Sequence, residues 1–342
     1  MATKKDNENK DNLLQMIFDH IWYSIFPKPR IGTISQEELD EVFPSLPDNI
    51  KYKLPSKDDK KEFKIPIGQT FKNKIVYWNP NSIPHLLCCG ATGSGKSVAT
   101  KSILTSIINM FNEEQIEITL IDFKIIELFA FRNCKQVINY AYEVEDALEL
   151  ISEALSECRN RYRLFQEYEV TNLKDYNKKS KDKLKYQFIF IEEFIVLSQH
   201  KNGIKMLNEL ISLSRAAGIF LYISCQRPDH TVISPLLKAN TGNKICFRTE
   251  DSKNSVIVLD KEGAEKLKGN GNGLLKQGST FTEFQGYFIS DQEVKKLIEP
   301  YIKPINEQTI NDDNKTSKNG HERARTISDD NNIIDLSFID NL

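Results

Sequence analysis

Three groups of residues have types and spacings that could do chemistry. The first is "GATGSGKS", Gly90, Ala91, Thr92, Gly93, Ser94, Gly95, Lys96 and Ser97, which fits the GxxxxGK[ST] pattern of a phosphate-binding loop. Glycines let successive backbone N–H groups turn toward phosphate oxygens, a lysine neutralises the β and γ phosphates, and a hydroxyl offers an oxygen to Mg²⁺. ATP and Mg²⁺ are the expected cofactors. The second group is the pair Glu192 and Glu193 in "FIFIEEF", where an apolar strand ends in two acids. Carboxylates there are costly unless something pairs with them or uses them. A nucleotide-bound Mg²⁺ wants an acid from a neighbouring strand, and in-line attack on the γ phosphate wants a second to orient water. Glu192 is therefore assigned to the metal side, with Ser97, and Glu193 to the water. The third group lies in "SRAAGIFLYISCQRP". Gln226 ends a strand, where it could sense a γ phosphate. Arg215 ends a helix, where capping of the last carbonyls is the simplest reading of the residue alone.

These residues need a scaffold that brings strand ends together. From about 61 to 300, apolar runs of strand character alternate with helical periodicity, the pattern of a parallel sheet wrapped by helices. Strands are expected at 85–89, 117–122, 187–192, 219–224 and 244–248. "VATKSILTSIINMF" carries Ile103, Leu104, Ile107, Ile108 and Phe111 on one face, and 143–168 is a long helix around Leu148, Ile151, Leu155 and Tyr162. A further helix over about 204–216 stops at Gly218. The strand "EITLID" falls in sequence between the phosphate loop and the acidic strand. That order is the one found in ATPases that activate water with an adjacent Glu, and no NKxD guanine motif accompanies it.

The chain of 342 residues is 39% hydrophobic, enough for a sizeable core, and its net charge of -2 gives no global basic signature. Any polyanion must then be met by a local patch, for which Lys238, Lys244 and Arg248 are candidates alongside a plain solvated surface. Six cysteines occur without metal-ligand spacing, as small buried hydrophobes suited to a reducing cytoplasm. No run approaches the roughly 20 apolar residues of a spanning helix. Residues 1–60 are expected to form an arm with one helix around 13–26, 61–302 an α/β ATPase domain, and 303–342 a disordered polar tail ending in "IIDLSFIDNL".

"HLLCCGATGSGKS", "IDFKIIEL", "RNRYRLF", "FIFIEEF", "SRAAGIFLYISCQRP", "LLKANTGNKICF", "LDKEGAEKLKGNGNGLL" and "GYFISDQEV" occur in that order over about 63–300. In sequence and spacing they resemble the FtsK/SpoIIIE family of DNA-pumping motors. The resemblance implies a RecA-like α/β P-loop ATPase core, a homo-oligomeric ring, a hexamer, around double-stranded DNA, and sequence-independent translocation driven by ATP hydrolysis between subunits. It makes Gln226 the sensor glutamine and raises Arg215 from capping residue to an arginine finger acting in a neighbouring subunit.

Three departures from the family pattern matter. Glu192 stands where the family usually has Asp, no membrane-spanning segment precedes the motor, and no winged-helix domain follows residue 300. The smaller family members of this kind serve conjugative transfer or replication of plasmids and integrative elements in Gram-positive bacteria. The expectation is a cytoplasmic coupling motor recruited to the membrane periphery, with a relaxase or membrane-anchored transfer protein met through the arm or tail. The alternative is an ATP-dependent assembly or packaging factor that does not translocate.

Overall fold

A computed structural model of the chain describes residues 49–229 and 232–304. The expected helix around 13–26 and the tail beyond 304 lie outside these residues. In chain order the strands are β1 (Ile50–Lys51), β2 (Ile65–Gln69), β3 (Ile75–Trp78), β4 (Leu86–Cys89), β5 (Ile116–Asp122), β6 (Val137–Ala141), β7 (Tyr186–Glu192), β8 (Ile219–Cys225), β9 (Asn243–Phe247), β10 (Asn272–Gln277) and β11 (Thr280–Phe288). The helices are α1 (Lys57–Glu62), α2 (Lys96–Met110), α3 (Val144–Glu167), α4 (Leu173–Lys179), α5 (Ile195–Ser198), α6 (Lys201–Ala217), α7 (Pro235–Asn240), α8 (Ser252–Leu259) and α9 (Asp291–Ile298).

One sheet runs β3-β2-β11-β10-β9-β4-β8-β7-β5-β6, with β1 added in parallel to β11. From β9 to β6 every pair is parallel, while β3, β2, β11, β10 and β9 are joined antiparallel. This is the expected α/β core with a mostly parallel sheet. Strand β1 and helix α1 precede residue 63, and β1 pairs with the sheet from the arm side of the expected 60/61 boundary.

Alternation along β7 explains the layering. Phe188 and Phe190 join the cluster that holds Ile103, Leu104, Ile107 and Ile108 of α2, whereas Ile189 and Ile191 face Ile151 and Leu155 of α3 and Leu207 and Ile211 of α6. Successive strand side chains point to opposite faces, so "FIFI" feeds both cores at once. Burial on helix α2 extends beyond its apolar face, since Ser102, Thr105 and Ser106 are buried as well. The covering elements lie far along the chain: Tyr52 shares a hydrogen bond with Ser106 at 2.9 Å, and Asn109 donates to the Leu297 carbonyl at 3.4 Å.

The end of α6 is fixed from several sides. Gly218 caps it at φ 72, where an added Cβ would meet Leu173 Cδ2 at 2.3 Å. The buried guanidinium of Arg161 donates to the carbonyls of Lys185 at 2.9 Å and Ala217 at 2.8 Å and pairs with Glu157 at 2.7 Å.

His85, just before β4, adds a third anchor. Its Nδ1 accepts from Leu221 N–H at 3.2 Å, which leaves Nε2–H to donate to the Ile211 carbonyl at 3.1 Å. Burial pushes this imidazole down to about 4, with the Ile211 carbonyl opposing and the Arg215 charge adding to the depression. An unfolded His titrates near 6.5, so between about 6.5 and about 4 the unfolded chain binds the extra proton. Stability should then fall as pH drops through that window, by on the order of 3 kcal/mol from His85 alone. Urea denaturation across this range should show a flatter pH dependence for His85→Gln than for the parent. Equal slopes would remove His85 as the cause.

Candidate functional site

The phosphate loop sits where β4 hands the chain to α2. Gly93 and Gly95 adopt φ 72 and 106, and an added Cβ at Gly95 would strike the Gly271 backbone at 2.4 Å. That contact comes from the turn before β10, whose Gly271 N–H donates to the Ser94 carbonyl at 2.8 Å. On the other side Ala91 N–H donates to the Arg248 carbonyl at 2.9 Å. The loop is thus braced by backbone from the antiparallel half of the sheet.

Above it opens a cavity of about 460 Å³, lined among others by Lys96, Ser97, Glu192, Glu193 and Gln226. Five of the residues assigned to chemistry from sequence therefore share one space. They reach it from three neighbouring strand ends, β4, β7 and β8, as parallel packing requires. Asn49, Asn270, Tyr287 and Phe288 line the same cavity from the antiparallel side.

Lys96 Nζ lies 3.0 Å from Glu192 Oε2 and donates to Ser224 Oγ at 2.6 Å. Burial works against its charge, but the Glu192 carboxylate, helped by Cys88 and Glu193, holds the ammonium above the usual lysine range. Glu192, 2% exposed, also accepts from Thr100 Oγ1 at 2.8 Å.

Two adjacent strand residues would ordinarily point to opposite faces. Glu193 instead takes φ 54, the left-handed region, and so also lines the cavity. A non-glycine residue held there costs about 1 kcal/mol or more, a feature frequent at functional sites.

Several contacts were not assigned from sequence. Lys124 Nζ is 2.7 Å from Glu193 Oε2 and 2.9 Å from Gln226 Oε1, and Gln226 Nε2 donates to Thr92 Oγ1 at 2.5 Å. Ser97 Oγ donates to Glu127 at 2.6 Å. Asp122 stands opposite Glu192 in the β5/β7 register, fully buried, with Oδ2 taken by Leu128 N–H at 2.9 Å and Oδ1 without a hydrogen-bond partner. Burial raises its carboxyl above the usual range, with Leu128 opposing and the Glu192 charge adding. The signal for these residues lay in "IDFKIIEL", where Asp122 ends, and Lys124 and Glu127 follow, the strand next to the acidic one.

The donor set suits a nucleotide with its ion. Among the described residues no cluster of three or more His, Cys, Asp or Glu could hold a metal unaided. Ser97, Asp122, Glu127 and Glu192 are all oxygen donors on the cavity, the type that Mg²⁺ takes together with phosphates and waters. The unpartnered Asp122 Oδ1 is the atom that most needs such company.

Arg215 is not part of this cluster. It is exposed near the end of α6 and donates to the Ser82 carbonyl at 3.1 Å, beside the starts of β4 and β8. The phosphate loop follows the opposite ends of those strands, and the seven residues of β8 alone span roughly 20 Å. Arg215 therefore lies well away from its own chain's site.

The basic candidates for DNA divide differently from expectation. Lys244 is buried with its ammonium donating to the Thr241 carbonyl at 2.7 Å, so it is not presented to a surface ligand, and burial pushes that ammonium down to about 8. Lys238 pairs with Asp260. Arg248 remains exposed, beside the phosphate loop. The six cysteines are buried and unpaired, as expected.

The sequence pattern of the FtsK/SpoIIIE family matches residues 50–261. The chain belongs to the FtsK/SpoIIIE family. Among curated FtsK/SpoIIIE relatives, the DNA translocase FtsK of Borreliella burgdorferi is 35% identical over 259 residues, covering 72% of this chain and 33% of that protein. The DNA translocase FtsK of Streptococcus agalactiae is 30% identical over 298 residues, 80% of this chain and 34% of that protein. The chain thus spans about a third of the length of these relatives. Among solved structures, the pCW3 conjugation coupling protein TcpA, in a monomer form with ATPγS, superposes with a TM-score of 0.66 at 29% identity over 75% of each chain. ATPases 2 and 3 of EssC from Geobacillus thermodenitrificans share the fold, with a TM-score of 0.67 at 21% identity over 75% of this chain and 52% of that one. Glu192, at the position where the resemblance implies an Asp, is bonded to Lys96 of the phosphate loop.

Proposed function

We propose that this chain is an ATP-driven DNA translocase, working as a ring-shaped homo-oligomer, a hexamer, that moves plasmid or integrative-element DNA during conjugative transfer. The observation that carries the proposal is the shared cavity of Lys96, Ser97, Glu192, Glu193 and Gln226 with Arg215 held at the far end of the same strands. A site built that way hydrolyses ATP only when a neighbour supplies its arginine. Turnover is then coupled to assembly around a track.

In this reading the phosphate loop cradles the nucleotide, Lys96 balances charge on the β and γ phosphates, and Ser97 with Glu192 would hold Mg²⁺, the acid acting through a water. The ion would neutralise charge that develops on the transferred phosphoryl group. Glu193 orients and deprotonates the attacking water, and Gln226 reports the γ phosphate. Arg215 of the neighbour stabilises the same developing charge.

Family membership supports DNA as the track, and the likeness to TcpA supports the conjugative role. Among the described residues no helix is long and apolar enough to cross a membrane. A cytoplasmic motor recruited to the membrane by a relaxase or an anchored transfer protein fits that. ATP turnover with duplex, single-stranded and no DNA, on a preparation of measured oligomer size, tests the reading. Turnover that ignores duplex DNA would favour an assembly or packaging factor instead.

A further inference from the structure

The phosphate loop brings one cation to the cavity, Lys96, and its ammonium is committed to Glu192 and Ser224. A second lysine, Lys124, lines the same space from the loop after β5 and has no part in the family reading given above. Its side chain is 46% exposed, yet its head sits 2.7 Å from Glu193 Oε2 and 2.9 Å from Gln226 Oε1. Gln226 passes the connection on to Thr92 of the phosphate loop at 2.5 Å. One ammonium therefore bridges the ends of β7 and β8, and through Gln226 the chain of contacts returns to β4.

Such a bridge has a specific consequence. Glu193 already departs from strand geometry at φ 54, so backbone direction alone does not fix where its carboxylate points. A charge-assisted contact does. Gln226 has a short flexible stem, and the same ammonium holds its amide oxygen, which turns its N–H toward Thr92. Neither side chain can swing without giving up its hold on the cation that fixes the other.

We propose that Lys124 is a positioning residue for ATP hydrolysis, locking the carboxylate of Glu193 and the amide of Gln226 into one geometry over the phosphate loop. This rests on the reading of Glu193 as the group that orients water. Lys124 adds little to nucleotide affinity in this account, because Lys96 and the loop N–H groups bind the phosphates. Its effect is on the chemical step, where misplacing a base by about 1 Å can cost on the order of 100-fold.

The test compares Lys124→Ala, Lys124→Arg, Gln226→Ala and the double variant Lys124→Ala/Gln226→Ala in the full chain with duplex DNA. Lys124→Ala should lower kcat about 30-fold while KM and the dissociation constant for ATPγS change less than about threefold. Lys124→Arg, whose guanidinium can still meet two oxygens, should recover kcat to within about fivefold of the parent. The double variant should be far less impaired than the product of the single effects, since residues acting as one unit are not additive. Parent-like or raised kcat in Lys124→Ala would overturn the proposal. So would a fall in ATPγS affinity that accounts for the loss, or additive effects without recovery by arginine. A parent chain that hydrolyses no ATP with duplex DNA refutes the proposed function and this role with it. Parent turnover that survives Lys124→Ala refutes the role of Lys124 alone.

Discussion

Lys96→Ala should reduce DNA-stimulated ATP turnover by at least about 1,000-fold, the scale for removing a preorganised charge from a phosphoryl-transfer site. The geometry leaves no substitute. Lys124 is turned to Glu193 and Gln226, and Arg215 is at the other end of the strands. The same change should also weaken the fold. Glu192 is 2% exposed and would keep only Thr100 as a partner, and a buried charge stripped of its counterion costs about 3–5 kcal/mol. Lys96→Ala/Glu192→Gln separates the two effects. The second change should restore much of the lost melting temperature and none of the turnover. A single Lys96→Ala variant that hydrolyses ATP at the parent rate would mean that the phosphates bind elsewhere.

The second large effect belongs to Arg215. Arg215→Ala should leave ATP affinity within about threefold of the parent and lower turnover by roughly 1,000-fold or more, the range of arginine fingers supplied from a neighbour. Loss of packing does not account for so large a change, because the side chain is exposed and its hydrogen bond among the described residues is to the Ser82 carbonyl. Mixing gives a sharper result. Arg215→Ala subunits retain Glu193, and Glu193→Gln subunits, themselves inactive, retain Arg215. Rings assembled from both contain interfaces with one intact copy of each, and turnover should reappear. No recovery in rings shown to contain both subunits would assign Arg215 to a role within its own chain.

The parallel half of this fold is legible in the sequence because its signals are local. The strands expected at 85–89, 117–122, 187–192, 219–224 and 244–248 fall within a residue or two of β4, β5, β7, β8 and β9. Gly218 ends α6 as its φ 72 requires. The antiparallel half is less readable. Strands β10 and β11 are polar at their paired outer ends, with Lys276, Gln277, Thr280 and Thr282, and in the parallel half the edge strand β6 is absent from the expected set. The burial of the α2 hydroxyls is not legible in the sequence because the residues that cover them, such as Tyr52 and those of α9, are remote along the chain.

The site divides along the same line. A phosphate loop announces itself through spacing, and Glu192 and Glu193 through acids in an apolar context. Asp122 ends an apolar strand in the same way, whereas Lys124 and Glu127 carry no such contrast. They matter because β5 lies beside β7, which brings Asp122 level with Glu192. Lys244 shows the converse, a lysine that looks available in sequence and is buried at a strand start, its ammonium spent on the Thr241 carbonyl.

The measurement that bears most directly on the central claim is steady-state ATP turnover by the assembled oligomer, with and without long linear duplex DNA of unrelated sequences. The account predicts a rise of at least about tenfold with duplex DNA, similar for every sequence, and falling steeply with added salt as phosphate contacts release counterions. A ring that binds ATP yet turns it over at one rate with and without duplex DNA would contradict it.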